Sequence, residues 1–320
     1  MNIVSLFSGC GGLDLGFSKA GFDVMWANEY DKTIWDTYLF NHVATELNAQ
    51  DIRKLDAANI PQCDGIIGGS PCQSWSLAGS GRGEADPRGQ LFWDYIRILK
   101  AKQPLFFLAE NVPGLLSDRH KESLSKILWL FNEAGYNVSY KQLNCADYGI
   151  PQDRERVLFV GYKKLLNKLF DFNQIPRLPR KTLQDTIANI QHFATKHPEL
   201  SLMANHSYVD ATFSSMYMSR QRLRSWGDPS FTILASCRHI PLHPQASPMI
   251  KVSRDVWKFD PKTTAPYRRL TVRECARIQT FPDSFRFLYT NISDGYKMVG
   301  NAVPVDMAML LGKAIKADLG

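Results

Sequence analysis

The 320-residue chain lacks paired cysteines, long apolar runs and an evident leader. Its six cysteines are scattered and form no C-x-x-C pair, which argues against a zinc site and a disulfide framework and suits a reducing compartment. No stretch approaches the roughly 20 apolar residues that cross a bilayer. Residues 1–7 lack the basic start of a signal peptide. These absences predict a cytoplasmic protein without a metal in its site.

Acidic residues are scarce in one segment, 163–270, which holds 17 Lys and Arg against 7 Asp and Glu. The rest of the chain holds 21 basic against 24 acidic residues. Five of the seven histidines also fall in 163–270. Such a distribution predicts a surface for a polyanion beside an ordinary enzyme domain. The alternative is a chance excess of solvated basic side chains.

Short apolar runs alternate with helical patterns over the first 160 residues. This alternation predicts an α/β fold with a mostly parallel sheet and helices on both faces. Ligands of such sheets bind at the carboxyl ends of the strands. From about 163 to 266 prolines are frequent and the pattern is irregular, which predicts a second, smaller domain. The predicted strands are 3–7, 24–27, 65–68, 105–108, 138–143 and 157–160, and the predicted helices are 13–20, 122–133 and 305–317.

A glycine-rich turn, Phe7-Ser8-Gly9-Cys10-Gly11-Gly12-Leu13, joins the first predicted strand to the first helix. Glycines let the backbone approach a ligand, and the helix amino terminus favours negative charge. Glu29 ends the second strand, where an acidic residue accepts hydrogen bonds from ribose hydroxyls. Asp51 ends a third candidate strand and is placed to bind an adenine amino group. The turn is not G-x-G-x-x-G, so a nucleoside ligand is favoured over a dinucleotide.

One cysteine, Cys72, follows an apolar strand in Gly68-Gly69-Ser70-Pro71-Cys72-Gln73. A cysteine at a strand end is exposed at the mouth of the sheet and is a candidate nucleophile. A glycine-rich loop follows it and is suited to closing over a substrate. The other five cysteines are interpreted as small buried hydrophobic residues.

A carboxylate and two guanidiniums accompany this cysteine. Glu110 follows the strand at 105–108 and is a candidate general acid or hydrogen-bond anchor, with helix capping as the alternative. Arg154 and Arg156 precede the strand at 157–160. Alternate residues of an extended chain point the same way, so both arginines are expected to face one site. The alternative is a pair of surface arginines.

Together these stretches resemble the cytosine-5 DNA methyltransferases, nearest in appearance to bacterial restriction–modification members that modify GGCC. The resemblance spans nearly the whole chain, with six motifs in the family's order. Ser70 departs from it, because many members have a second proline there. The motifs are Phe7-Ser8-Gly9-Cys10-Gly11-Gly12, Pro71-Cys72-Gln73, Glu110-Asn111-Val112, Gln152-x-Arg154-x-Arg156, Arg268-Arg269-Leu270-Thr271-x-Arg273-Glu274 and Gly300-Asn301-Ala302-Val303-Pro304.

The resemblance implies a Rossmann-like enzyme that transfers a methyl group from S-adenosylmethionine to carbon 5 of a flipped-out cytosine. It implies that Cys72 attacks C6 and that Glu110 binds N3 and the exocyclic amine. Arg154 is expected to contact the base carbonyl, and Arg156 to order Cys72 and Glu110. The implied cofactor contacts are Phe7, Ser8, Gly9, Gly11, Gly12, Leu13, Glu29, Tyr30, Asp51, Ile52, Pro71, Asn301 and Val303, and the implied DNA contacts include Gln73 and Ser76.

The variable stretch before the Arg-Arg-Leu-Thr motif reads DNA in this family. Here it is the basic segment, and Arg222, Arg224 and Arg238 are the candidate base readers because arginine pairs with guanine N7 and O6. Some arginines are expected to bind phosphate instead. The stretch resembles that of GGCC-modifying enzymes but departs at His239-Ile240-Pro241. The expected domains are 1–165 with 285–320 for catalysis and 166–284 for target recognition.

Two other functions stay open at this point. One is an RNA cytosine methyltransferase with the same catalytic plan, against which the long arginine-bearing segment argues. The other is a non-catalytic DNA-binding regulator of the same fold, against which the intact Cys72, Glu110, Arg154 and Arg156 argue. A disulfide oxidoreductase is disfavoured because C-x-x-C is missing. The expected state is a monomer that acts on double-stranded DNA and shares its site with a cognate restriction endonuclease without binding it.

Overall fold

The computed structural model describes residues 1–69, 91–197, 204–263 and 267–320. The chain forms two compact units. The first comprises Met1–Asn144, Glu155–Pro176 and Val305–Gly320, and the second comprises Cys145–Arg154 and Arg177–Pro304. The assignment of catalysis to 1–165 with 285–320, and of target recognition to 166–284, stays a prediction.

A seven-stranded sheet forms the centre of the first unit, in the order β3-β2-β1-β4-β5-β8-β6. The first five strands of this order are mutually parallel, whereas β8 runs antiparallel to both β5 and β6. The predicted mostly parallel α/β sheet is therefore confirmed. Its strands are β1 (Asn2–Leu6), β2 (Asp23–Asn28), β3 (Glu46–Asn48), β4 (Gly65–Gly68), β5 (Phe106–Asn111), β6 (Tyr136–Asn144) and β8 (Glu155–Lys163).

Helices pack on both faces of this sheet. Neighbouring residues of a strand point to opposite faces, and β5 shows the result. The Phe106 ring lies 6.5 Å from that of Phe17 in α1, while the Phe107 ring stacks 4.3 Å from that of Phe131 in α4. Burial on both faces explains why the central strands β4 and β5 contain apolar runs. The helices of this unit are α1 (Gly12–Lys19), α2 (Lys32–Asn41), α3 (Leu91–Lys102), α4 (Lys121–Glu133) and α8 (Val305–Leu319).

The reversed direction of β8 determines which residues meet at the carboxyl edge of the sheet. Asn111, the last residue of β5, pairs with Val157 near the start of β8. The first residues of β8 therefore lie at the same edge as the ends of β1, β2, β4 and β5. A chemical site at this edge draws on the end of a parallel strand and the beginning of an antiparallel one.

The second unit contains short elements between irregular stretches, as the prolines predict. β7 (Gln152–Asp153) pairs in parallel with β9 (Ser230–Phe231), and β10 (Met249–Ser253) forms a hairpin with β11 (Val256–Phe259). A small core includes Tyr217, Leu242, Ala246 and Met249. The helices of this unit are α5 (Leu183–Ile187), α6 (Val272–Ile278) and α7 (Ile292–Asn301).

A capping box starts α6 at the Arg-Arg-Leu-Thr motif. The Thr271 hydroxyl accepts a hydrogen bond from the Glu274 amide, and the Glu274 carboxylate accepts one from the Thr271 amide. Both guanidinium nitrogens of Arg268 also donate to that carboxylate, at 2.7 and 2.8 Å. The motif therefore fixes the start of α6.

Among the described residues, Ile292–Leu319 is long and apolar enough to pass a compositional test for a membrane span. Most of that stretch is buried inside the protein, and core helices pass the same test. Pro304 separates its two helices, α7 and α8. The feature is weak support for membrane insertion.

Close packing of α1 against α8 predicts a cost for any side chain at Gly16. A Cβ atom there would lie 2.3 Å from the Ala308 Cβ and 2.5 Å from the Val305 carbonyl oxygen. We expect Gly16→Val to lower the free energy of unfolding by about 1–3 kcal/mol through overpacking. Urea denaturation measures this change. Gly227→Val is the control, because the nearest atom to its Cβ is 3.9 Å away, and equal stability of the two variants would contradict the account.

Candidate active site

The glycine-rich turn after β1 forms a strained, open loop in the first unit. Phe7, Gly9 and Gly11 have φ angles of 54°, 55° and 85°, in the left-handed region that glycine tolerates best. The Ser8 amide donates to the Asn28 carbonyl at 3.1 Å, which fixes the loop against β2. No described atom lies within 4 Å of the place where a Cβ of Gly9 would be. The backbone at Gly9 is therefore accessible to a ligand next to the start of α1.

A buried polar cluster supports the loop from behind. The His42 Nε2 lies 2.0 Å from the place where a Cβ of Gly11 would be, so only glycine fits there. The His42 ring stacks on Tyr38 at 4.4 Å, and the Asp14 carboxylate accepts hydrogen bonds from Tyr38 and Ser5 at 2.6 Å each. Burial raises the pKa of Asp14 and lowers the pKa of His42. Sequence reasoning missed this cluster, because a lone histidine directly after a helix carries no local signal.

Glu29, directly after β2, binds the loop with its carboxylate. One oxygen accepts from the Gly9 amide at 2.9 Å, and the other accepts from the Asp31 amide at 2.8 Å. Burial raises the pKa of this carboxyl group. The neighbouring Tyr30 is 66% exposed. The carboxylate is fixed in position, and an aromatic ring beside it faces solvent.

Asp51 follows β3 by three residues and begins a short 3-10 turn. Its carboxylate accepts from the Arg53 amide at 3.0 Å and pairs with the Arg53 guanidinium. The hydrogen bond from Arg53 holds the pKa of Asp51 below its ordinary value. Ile52 beside it is buried.

Glu110 and Arg156 form an ion pair at the carboxyl edge of the sheet. The Arg156 Nε lies 2.6 Å from the Glu110 Oε1, with side chains only 15% and 11% exposed. Gly69 is packed against the same carboxylate, since its Cβ would lie 2.9 Å from the Glu110 Oε2. Glu110 lies at the end of β5, Arg156 lies at the start of β8, and Gly69 directly follows β4.

Arg154 has different partners from Arg156. It lies between β7 and β8, where the strand is interrupted, and belongs to the second unit. Its guanidinium donates to the backbone carbonyls of Ile233, Gly300 and Ala302, at 3.0–3.1 Å. Strand alternation predicted that both arginines face one site. That prediction assumed a continuous extended chain, whereas Arg154 lies in neither strand. The contact of Arg154 with a base carbonyl remains a prediction.

Cys72, the predicted nucleophile, lies outside the described residues, as do Pro71, Gln73 and Ser76. Cys10, Cys145 and Cys275 are buried, whereas Cys63 and Cys237 are partly exposed. Burial raises the pKa of the Cys63 thiol to about 11. Of the described residues, no three His, Cys, Asp or Glu side chains form a group that could hold a metal ion.

The last motif spans the end of α7 in the second unit. Asn301 is exposed at the final position of α7, and Val303 is buried two residues later. Gly300 before them leaves no room for a side chain, because its Cβ would lie 2.3 Å from the Leu234 carbonyl carbon.

The three arginines predicted to read bases differ in how firmly the second unit holds them. Arg224 pairs with Asp153 at 3.0 Å and stacks over the Phe231 ring at 4.2 Å. Arg222 donates to the Tyr217 carbonyl at 3.1 Å, and burial lowers its pKa. Arg238 is exposed. Of these three arginines, Arg238 is therefore the most accessible to a partner.

Arg220 is a further exposed cation in this region, which sequence reasoning did not select. Burial lowers the pKa of His239, and the charges of Arg222, Arg238 and Arg220 lower it further. We treat these three arginines and His239 as one basic cluster. The alternation of arginines in 220–224 is visible in the sequence, but it does not tell which of them the fold engages.

The family described as C-5 cytosine-specific DNA methylase matches residues 1–317. The Type II methyltransferase M.FnuDI of Fusobacterium nucleatum is 53% identical over all of this chain and 95% of its own length. The Type II methyltransferase M.MthTI of Methanothermobacter thermautotrophicus is 52% identical over all of this chain and 98% of its own length.

Solved structures show the same fold at low sequence identity. The Entamoeba histolytica methyltransferase EhMeth is 16% identical, with a TM-score of 0.72 over all of this chain and 99% of its own. The S. pombe Dnmt2 methyltransferase is 19% identical, with a TM-score of 0.66 over all of this chain and 98% of its own. Both structures share the fold of this chain, whose central sheet is Rossmann-like. By its matched family and its full-length relatives, the chain belongs to the C-5 cytosine-specific DNA methylase family and is a DNA (cytosine-5-)-methyltransferase.

Proposed function

We propose that the enzyme methylates one cytosine of a short duplex site after flipping it out of the helix, through a covalent bond between Cys72 and C6. The observation that carries this proposal is the Glu110–Arg156 ion pair, with Gly69 against the carboxylate. Cys72 follows Gly69 by three residues, a length of chain that spans at most about 11 Å. This length allows the nucleophile and the carboxylate to reach one pyrimidine ring.

The chemistry needs a nucleophile because C5 of cytosine is unreactive towards a methyl donor. Addition of the Cys72 thiolate to C6 makes C5 electron-rich, so that it accepts the methyl group. Loss of the C5 proton then expels the thiolate and restores the ring. Glu110 accepts a hydrogen bond from the exocyclic amine and, as general acid, donates a proton to N3, where negative charge develops. Arg156 holds the Glu110 carboxylate in place for that contact.

The loop after β1 and Glu29 fit a nucleoside cofactor, because the backbone at Gly9 is open and the carboxylate beside it is fixed. When bound, S-adenosylmethionine supplies the methyl group. Glu29 retains lone pairs for ribose hydroxyls, Tyr30 offers an exposed ring, and Asp51 accepts from an adenine amino group. We propose the remaining cofactor contacts from the family motifs: Phe7, Ser8, Gly11, Gly12, Leu13, Ile52, Pro71, Asn301 and Val303.

The basic cluster of the second unit, defined as Arg220, Arg222, Arg238 and His239, is proposed to bind the DNA. Arg238 is the preferred reader of guanine because it is exposed, and GGCC is the proposed site. Arg224, which is paired with Asp153, is a weaker candidate than Arg238. Gln73 and Ser76 are proposed to contact the DNA near the flipped base.

The cellular role proposed here is protection of host DNA in a restriction–modification system. The enzyme acts as a cytoplasmic monomer, since one molecule can modify one flipped base. A cognate endonuclease recognises the same site without binding the methyltransferase. The Type II names of the relatives support this assignment.

Replacement of the nucleophile tests the covalent step. We expect Cys72→Ala to abolish transfer of radiolabelled methyl groups to duplex DNA, while affinities for cofactor and DNA stay within about threefold of wild type. Wild-type enzyme should also form a denaturation-resistant adduct with DNA that carries 5-fluorocytosine, because C5 then has no proton to lose. Cys63→Ala is the matched control and should keep full activity. Methylation by Cys72→Ala would remove this residue from the nucleophile role, and transfer to tRNA but not to DNA would overturn the DNA assignment.

Bisulfite mapping of DNA treated with the enzyme tests the proposed site. We expect modified cytosines only within GGCC. A bidentate contact to guanine contributes about 1–3 kcal/mol, so Arg238→Ala should reduce kcat/KM at the mapped site by about 5- to 150-fold. Arg254→Ala, at a side chain that is 98% exposed in the β10–β11 hairpin, serves as the control. Modified cytosines outside GGCC would refute the site, and unchanged kcat/KM in Arg238→Ala would refute the reader.

A further inference from the structure

Arg154 lies in a buried network that joins three segments of the second unit. The residue is 1% exposed. Its Nη1 donates to the Ile233 carbonyl at 3.1 Å, and its Nη2 donates to the Gly300 and Ala302 carbonyls at 3.1 and 3.0 Å. The guanidinium therefore links the chain after β9 to the end of α7.

Two glutamines link the same segments. The Gln152 side chain accepts from the Ile233 amide at 2.8 Å and donates to the Gln279 side chain at 2.8 Å. Gln279 in turn donates to the Val299 and Ala302 carbonyls, at 2.8 and 3.1 Å. Both glutamines are fully buried. Ile233 is thus held at its amide by Gln152 and at its carbonyl by Arg154.

Asp153, which lies between Gln152 and Arg154 in the chain, contacts the same region. Its carbonyl accepts from the Thr232 hydroxyl at 2.6 Å, and its carboxylate pairs with Arg224. Gln152 and Asp153 also pair with Ser230 and Phe231 in the β7–β9 ladder. Three consecutive residues of the Gln-x-Arg-x-Arg motif therefore fix the chain at 230–233.

The fixed chain leads directly into the basic cluster. Arg238 comes five residues after Ile233, and His239 comes six residues after it. We infer that Arg154 is a positioning residue that sets the backbone of the DNA-reading segment, rather than a contact to the flipped base. The inference rests on the proposed function, in which this segment reads DNA. Buried carbonyls left without donors would let the segment shift, and a guanidinium that donates to three carbonyls has few donors left for a base.

Steady-state kinetics with the full-length enzyme separate the two roles. The substrates are a duplex that contains the mapped site and duplexes with one base pair of that site changed. For Arg154→Met we expect KM for the cognate duplex to rise, and the ratio of kcat/KM between cognate and changed duplexes to fall about tenfold or more. The value of kcat at saturating DNA should stay within about threefold of wild type. A residue that contacts the flipped base would instead lower kcat and leave the ratio unchanged, and that result would overturn the inference.

Two further variants keep the test decisive if Arg154→Met does not fold. Arg154→Lys retains a cationic donor and should recover part of the discrimination. Gln279→Met lies outside the Gln-x-Arg-x-Arg motif and should reduce discrimination in the same direction. Lys196→Met, at an exposed pair with Asp210, is the control and should match wild type. Wild-type discrimination in both Arg154→Lys and Gln279→Met would also overturn the inference. Failure of the wild-type enzyme to methylate any duplex would instead refute the proposed function.

Discussion

The contact between Glu110 and Arg156 is the constraint on which the proposed chemistry depends. Removing a carboxylate from water costs free energy unless a charged partner compensates it, and the Arg156 Nε lies 2.6 Å from the Glu110 Oε1. The pair is possible because β8 runs antiparallel to β5, so that the start of one strand lies beside the end of the other. Gly69 packs on the free side of the carboxylate without a side chain of its own. The topology of the sheet therefore brings one charged pair and the chain that leads to Cys72 to the same edge.

The two arginines of one short motif are separated by a break in the strand. Arg156 belongs to β8 and to the sheet, whereas Arg154 precedes β8 and donates to carbonyls of the second unit. The motif at 152–156 therefore makes two separate sets of contacts. The first three, Gln152 to Arg154, contact the chain around 230–233, and Arg156 pairs with the Glu110 carboxylate. Such a division explains why both arginines belong to one motif although their partners differ.

Sequence patterns predicted the central strands of the sheet well, because buried parallel strands contain apolar runs bounded by polar turns. The bounds of β4 were predicted to the residue, and Glu29 and Glu110 lie at strand ends as expected. The partners of individual arginines were not predictable. Arg222, Arg224 and Arg238 look alike in the sequence, yet Asp153 pairs with one, Tyr217 accepts from another and the third is exposed. His42 was missed for the same reason, since its role comes from a contact with Gly11 that only tertiary structure creates.

The most direct test of the central claim compares kcat of Glu110→Gln with that of Glu155→Gln. Both changes replace a carboxyl group of the sheet by an amide, but Glu155 is exposed and accepts a hydrogen bond from the Gln142 side chain at 3.0 Å. The account predicts that Glu110→Gln lowers kcat for duplex DNA about 10²- to 10⁴-fold, with cofactor affinity unchanged, and that Glu155→Gln stays near wild type. Near-wild-type kcat in Glu110→Gln would contradict the account.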